Sequence, residues 1–295
     1  MNQRPYRAIT FTFLSSFLWG SSFVAVKVGL RSIDPVWFTF WRTFLAGLVL
    51  TVVVRKAQLG SYFRNRLVWA LAVLNTSAFL AQNYGMQITT ASKAAFYVNF
   101  GFVAVALFSW IFLRERFTWL KISSLLLGAV GVTFLVTGGH LSRLKGGTLL
   151  GDGLVILAGW LWAGYFIVSK IVLHQKGVRV LPLTAVVLLG TGIVSLPAAA
   201  LIAPREAALG TTGLVIVLYT AAFCTAVPQL LWARGLMDLT PTASAVVLLA
   251  EPIFGALFGF LLLGDRFTLG ETVGAVLILL AIGLYSMAEA PGDDQ

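Results

Sequence analysis

Charge is what this sequence has least of. Only 11% of its 295 residues are Asp, Glu, Lys or Arg, against about 25% in an ordinary soluble domain. One cysteine, Cys224, rules out an intrachain disulfide. The two histidines, His140 and His174, fall near loops and have no Cys, Asp or Glu around them in metal-ligand spacing. No GxxxxGK[ST] phosphate loop occurs, so ATP does not drive the chain by that route, and no metal or cofactor is expected. The net charge of +10 invites a nucleic-acid reading. Most of the Lys and Arg, however, stand where apolar runs end, which is where loop charges orient membrane helices. No nucleic-acid partner is expected.

What is present is apolar sequence. Hydrophobic residues make up 59% of the chain, and the mean hydropathy is +0.91. In lipid every backbone polar group must be satisfied internally, which leaves helices or a closed barrel. The runs are about twenty residues long and lack strand alternation, so they read as helices. Ten spans are predicted, at 8–30, 36–54, 67–88, 92–113, 119–137, 149–173, 180–203, 212–235, 240–263 and 269–288. The first is too long for a signal-peptide core and reads as a retained span. The tail 291–295 is acidic and expected to be disordered. The lipid bilayer is thus the first partner, and no oligomeric state can be read.

With the N-terminus inside, thirteen Lys and Arg fall on the cytoplasmic side and seven on the other, with Arg42 inside a span. The positive-inside rule then places both termini in the cytoplasm. A repeat is also visible. Leu113-Arg114-Glu115-Arg116-Phe117-Thr118 recurs 150 residues on as Leu263-Gly264-Asp265-Arg266-Phe267-Thr268, and Leu18-Trp19 through Lys27 recurs 143 residues on as Leu161-Trp162 through Lys170. Each half then holds five spans, and an odd number forces the halves into opposite orientations. The expected organisation is a first repeat over 1–137, a linker 138–148, a second repeat over 149–288 and a cytoplasmic tail 289–295.

Inverted repeats place a site near the midplane on interrupted helices. Glu251 falls near the middle of the ninth span and is followed by Pro252. A carboxylate at that depth costs about 2.5–3.5 kcal/mol on insertion scales, so it should face the bundle interior. Pro252 leaves the Leu248 carbonyl without an N–H, and Pro228 in the eighth span does the same to Cys224. Both prolines are candidate hinges. The repeat partners of Glu251 and Pro252 are Gly101 and Phe102, so the site should be lopsided. Trp19 and Trp162 lie mid-span, where an interfacial anchor makes no sense. Gln82, Asn99 and Gln229 need partners away from lipid. Together with Tyr97, Tyr165 and Glu251 these are the expected substrate-binding residues, around one water-accessible space. Arg42, about two turns from the outer end of its span, is within reach of snorkelling. It could also hold a substrate carboxylate or lock neighbouring helix ends, and the structural role is the expected one. Gly255 and Gly259 form a GxxxG that suggests close helix approach, within the bundle or between copies.

At Leu18-Trp19-Gly20-Ser21-Ser22-Phe23, Phe40-Trp41-Arg42, Ala91-Ser92-Lys93-Ala94-Ala95-Phe96, Leu113-Arg114-Glu115-Arg116 and Glu251-Pro252-Ile253-Phe254 the chain resembles EamA-type members of the drug/metabolite transporter superfamily. Within it, the chain is most similar to bacterial amino-acid exporters of the YddG type. The resemblance implies an all-α integral-membrane fold, ten helices as two inverted five-helix repeats, and export of small metabolites by alternating access. It also implies a multi-pass protein of the bacterial inner membrane. Phe102 departs from the family pattern, where a proline often matches Pro252. The expected function is a secondary transporter for small amphipathic metabolites, foremost aromatic or hydrophobic amino acids. The alternatives are an integral-membrane transferase, or a transporter of the same superfamily for sugar phosphates or drugs. An isolated Glu251 without a nearby His or Asp speaks against the enzyme.

Overall fold

A computed structural model describes residues 4–30, 33–54, 59–202, 210–263 and 268–289. The second copy of the repeated junction at 264–267, the tail 291–295 and the loop charges Arg31, Arg55, Lys56, Arg205 and Arg266 lie outside the described residues. The described residues are all helical or irregular, without strands. Ten long helical spans follow one another: α1 (Arg4–Gly29), α2 (Pro35–Val53), α3 (Arg66–Ile88), α4 (Ala91–Leu113), α5 (Trp119–Thr137), α6 (Leu149–Leu173), α7 (Val180–Ile202), α8, α9 and α10 (Leu269–Glu289). Span α8 is Thr211–Ala221 and Val227–Asp238 joined by a π-turn, Ala222–Ala226. Span α9 is Pro241–Leu248 and Ala250–Leu263, broken at Leu249.

Starts are set by side-chain caps: Asp34, Asn65, Thr90, Thr118, Thr148 and Thr240 each accept a hydrogen bond from the first turn that follows. Eight of the spans, α2 and α4 through α10, are long and apolar enough to cross a membrane. The other two, α1 and α3, are 26 and 23 residues long. They carry more polar residues, and those are turned inward: Ser15, Ser16, Asn75 and Asn83 are all buried.

Packing follows a pseudo-two-fold. Span α3 lies on α6 as α1 lies on α8; α4 lies on α6 as α1 lies on α9; α3 lies on α7 as α2 lies on α8. The pairs α2–α7, α4–α9 and α5–α10 lie across the axis. The relation holds at single residues. A Cβ on Gly85 would stand 2.6 Å from Val155 and 2.9 Å from the Gly151 carbonyl. Its counterpart Gly235 faces Thr12 and the Ala8 carbonyl in the same way, and these are the residues that the 150 and 143 offsets connect. Helices meet this closely because lipid provides no hydrophobic drive between them, so small residues and van der Waals contact hold the bundle. Gly255 of the GxxxG lies against this set: its backbone N would stand 3.0 Å from a Cβ on Gly20 of α1, a contact inside the bundle.

Interhelical hydrogen bonds add polar ties. Asn75 donates to Thr191 (3.0 Å), Asn83 to Thr39 (3.0 Å), Ser15 to the Pro228 carbonyl (2.8 Å) and Ser124 to the Ala281 carbonyl (2.7 Å). Because spans alternate in direction, both ends of the described chain, Arg4 and Glu289, lie at one end of the bundle.

Candidate functional site

A cavity of about 190 Å³ lies between α1, α2, α3, α4, α6, α8 and α9. Its polar wall includes Arg42, Gln82, Asn83, Asn99, Gln229 and Glu251, and its apolar wall combines aliphatic residues with rings, among them Trp19, Phe79 and Trp162. The lining on α1 and α3, Trp19 to Val26 and Phe79 to Met86, sits toward the ends of those helices at Gly29 and Ile88. The cavity therefore reaches from the middle of the bundle toward the end opposite the termini.

Both proline interruptions open onto it. Pro228 has no N–H for the Cys224 carbonyl, the ladder widens into the π-turn, and Arg42 takes the freed oxygen: its Nη2 donates to Cys224 O at 3.2 Å. The Arg42 Nε donates to Thr225 Oγ1 (3.1 Å), while Thr225 itself donates to the Thr220 carbonyl five residues back. In α9 the N–H of Leu249 turns to Val246 O (3.1 Å), and the helix restarts at Ala250 with Glu251 in its first turn. The Glu251 backbone rests on Gly20, where a Cβ would come within 2.9 Å of its carbonyl. The Glu251 side chain forms none of the hydrogen bonds or ion pairs found among the described residues, although Arg42 is close enough to act on it electrostatically.

The amides and rings form fixed pairs. Gln229 donates to the Tyr165 hydroxyl (2.6 Å), and the Trp162 indole N–H donates to Gln82 (3.4 Å). Trp162 stands edge-on to Phe79 and Tyr165, at 5.0 and 5.8 Å between centroids. Tyr165 stacks on Trp232 at 5.5 Å. Asn99 instead donates to Ala95 O of its own helix (2.8 Å).

Of the eight residues expected around one space, Trp19, Gln82, Asn99, Trp162, Tyr165, Gln229 and Glu251 line it. Tyr97 does not. The cavity face of α4 runs through Val98, Gly101, Phe102 and Val105, and Tyr97 lies one step round the helix against Phe96. The snorkelling expectation for Arg42 also fails: the side chain points inward and is 5% exposed. The lopsidedness has a packing reason. A Cβ on Gly101 would meet the Gly159 backbone at 3.3 Å, so the place where the repeat would put a second acid is a close approach of α4 and α6. Span α4 runs unbroken through Phe102. Sequence reading missed the wall residues Phe79, Thr225 and Trp232, which carry no signal beyond being apolar or small. Asn83, an amide expected to point inward though not named among the substrate-binding residues, does point inward and lines the wall. Among the described residues no group of His, Cys, Asp and Glu could hold a metal.

The end that carries the termini is shut by ion pairs and hydrogen bonds. Glu115 accepts from Ser109 (2.6 Å), Thr242 (2.7 Å), Tyr285 (2.9 Å) and Lys121 (3.4 Å), and Lys121 also pairs with Glu289 at 2.9 Å. Burial opposes charge on Glu115, but those donors and the Lys121 ammonium outweigh it and hold the carboxyl below its usual value. Lys170 donates to the Leu236, Met237 and Leu239 carbonyls at the end of α8. The opposite end carries Lys93 paired with Asp152 and Arg143 paired with Glu271 (2.6 Å).

An interrupted-helix cavity at the centre of a two-fold membrane bundle is a transport architecture, and comparison with known proteins decides which. The EamA-like transporter family matches twice, over residues 6–137 and 149–287. The chain belongs to the EamA-like transporter family. It is a transporter rather than an enzyme, of the drug/metabolite transporter type, and a multi-pass membrane protein. A relative in Archaeoglobus fulgidus, named an uncharacterized transporter, is 27% identical over 96% of this chain and 98% of its own. A Chlamydia muridarum protein named S-adenosylmethionine/S-adenosylhomocysteine transporter is 28% identical over 94% of this chain and 88% of its own. A solved crystal structure with 16% identity shares the fold at a TM-score of 0.81, over 95% of this transporter and 96% of that chain.

Proposed function

We propose that this transporter exports small amphipathic metabolites, foremost amino acids with an apolar or aromatic side chain, across the bacterial inner membrane. Export runs by alternating access with both termini in the cytoplasm, and residues 1–137 and 149–288 are the halves that rock about the linker 138–148. The observation that carries the reading is the Glu251 carboxylate, which has no hydrogen-bond or ion-pair partner among the described residues and faces a cavity walled by Trp19, Trp162 and Tyr165. An unpaired carboxylate at mid-membrane depth is costly, and a substrate ammonium offsets that cost. The rings accept an apolar side chain and stack on an aromatic one. Gln82, Asn99 and Gln229 contribute polar contacts, and Pro228 and Pro252 are the flexible points. In the conformation seen, the cavity reaches away from the termini and the Glu115 network lies at the end that carries them.

The Chlamydia relatives are named for S-adenosylmethionine and S-adenosylhomocysteine, both of which are amino acids with a nucleoside attached. Size separates the two readings. The 190 Å³ cavity is smaller than the roughly 300–1,000 Å³ of typical small-molecule sites, which favours a free amino acid over one that carries a nucleoside.

The test is uptake of labelled phenylalanine, leucine and S-adenosylmethionine into proteoliposomes, with wild type and Glu251→Gln. The variant should insert and run normally on size exclusion, since it removes an intramembrane charge. Transport of the preferred amino acid should fall at least about tenfold, the minimum for losing a charged contact worth ~1.5 kcal/mol. Near-normal transport by Glu251→Gln would end this reading.

A further inference from the structure

The charge that this reading leaves unused is Arg42. Its guanidinium is 5% exposed inside α2 and enters none of the ion pairs found among the described residues. A guanidinium carries five N–H donors in one planar fork. Two are engaged, Nε on Thr225 Oγ1 and one from Nη2 on the Cys224 carbonyl. Phe79 lies 5.0 Å and Phe38 5.7 Å from its central carbon, so ring faces cover part of the group. The Nη1 pair and the second Nη2 proton have no acceptor among the described residues, and Arg42 lines the same cavity as Glu251. Holding the freed Cys224 carbonyl needs one neutral donor. A full cation with a free edge at that depth needs an anion.

We infer that Arg42 is the carboxylate anchor of the site, so that the transported molecule is a zwitterion held between Arg42 and Glu251. This rests on the ammonium-binding reading of Glu251. The two charges sit on opposite halves, α2 in the first and α9 in the second, and neither forms an ion pair with the other. A substrate bearing both charges bridges them, whereas a simple amine or a simple acid satisfies one and leaves the other buried and unpaired. The sign pattern therefore sets specificity: α-amino acids are favoured over their decarboxylated and deaminated analogues. Because the same guanidinium holds the Cys224 carbonyl, an anion on Arg42 also bears on the π-turn of α8.

Three ligands of one shape test the inference: L-phenylalanine, 2-phenylethylamine, which lacks the carboxylate, and 3-phenylpropanoate, which lacks the ammonium. Binding is read as a thermal shift of the purified protein and as competition with uptake in proteoliposomes. Wild type should prefer phenylalanine over either analogue by about 10- to 100-fold, the usual penalty for an unpaired charged partner. In Arg42→Gln, whose amide can still donate to Cys224 O, phenylalanine should fall to the level of phenylethylamine, whose own affinity stays within about threefold of wild type. A proportionate loss of both ligands would make Arg42 a structural tie and overturn the inference. If Arg42→Gln does not fold, the wild-type series alone decides, and phenylethylamine binding as well as phenylalanine refutes the anchor. A Glu251→Gln protein that keeps full affinity for phenylethylamine while Arg42→Gln loses its discrimination would sink the Glu251 reading and leave the anchor standing. Wild type that binds none of the three overturns both.

Discussion

At the scale of single residues, position within the membrane decides what a charge does. Among the described residues Glu251 and Arg42 form no ion pair and line the cavity, whereas Glu115 accepts from Ser109 of α4, Lys121 of α5, Thr242 of α9 and Tyr285 of α10. Lys170 of α6 and Glu289 complete the charged surroundings. Since folding lowers the pKa of Glu115, its stabilisation is fully present above the ordinary carboxylate value. It is lost as pH falls through the depressed folded value. Thermal unfolding in detergent should therefore show a drop in stability on acidification. In Glu115→Gln that drop should shrink, and the neutral-pH stability should already be lower by about 1–3 kcal/mol. An unchanged acid profile in the variant would remove Glu115 from the closed end. Tyr97 shows the limit of residue-level reading, because its type and depth are right and its azimuth is wrong.

The informative elements are α8 and α9, the two spans with a proline at the site. Each departs from a regular helix there: α8 by a π-turn whose open carbonyl goes to Arg42, α9 by a restart at Ala250. If these breaks are hinges, Pro228→Ala should leave assembly intact and lower the transport rate about tenfold, since the restored N–H competes with Arg42 for Cys224 O. Stopped-flow transport with an unchanged thermal profile would be the expected pair of results. A rate equal to wild type would make the π-turn a packing feature only. The tight glycines supply a paired prediction. Gly85→Leu and Gly235→Leu push side chains into Val155 and Gly151, and into Thr12 and Ala8. Both should destabilise by about 1–3 kcal/mol or more, and by similar amounts, because the two sites are related by the pseudo-two-fold.

For the whole molecule, the odd number of spans per half makes orientation testable at two points. Ser61, in the short helix Gly60–Phe63, and Ser142, in the turn Leu141–Leu144, are both exposed and lie at opposite ends of the bundle. In a Cys224→Ala background, a cysteine at position 61 should react with an impermeant thiol reagent only from the cytoplasm, and one at 142 only from outside. Reaction of both from one side would break the inverted arrangement of the halves.

The span boundaries needed no tertiary information: the predicted 119–137 and 149–173 coincide with α5 and α6, and the others differ by a few residues. A chain in lipid must close its backbone hydrogen bonds locally, so apolar length and Thr, Asn or Asp caps decide each helix. The internal repeat and the two proline breaks were legible for the same reason, since both are properties of single segments. Which face each helix turns inward is another matter. Lipid tails are as apolar as the side chains, so no hydrophobic stripe marks the buried side. Only packing against neighbours settled that Arg42 points inward, that Tyr97 misses the cavity, that Phe79 and Trp232 wall it, and that Gly101 lies close against Gly159.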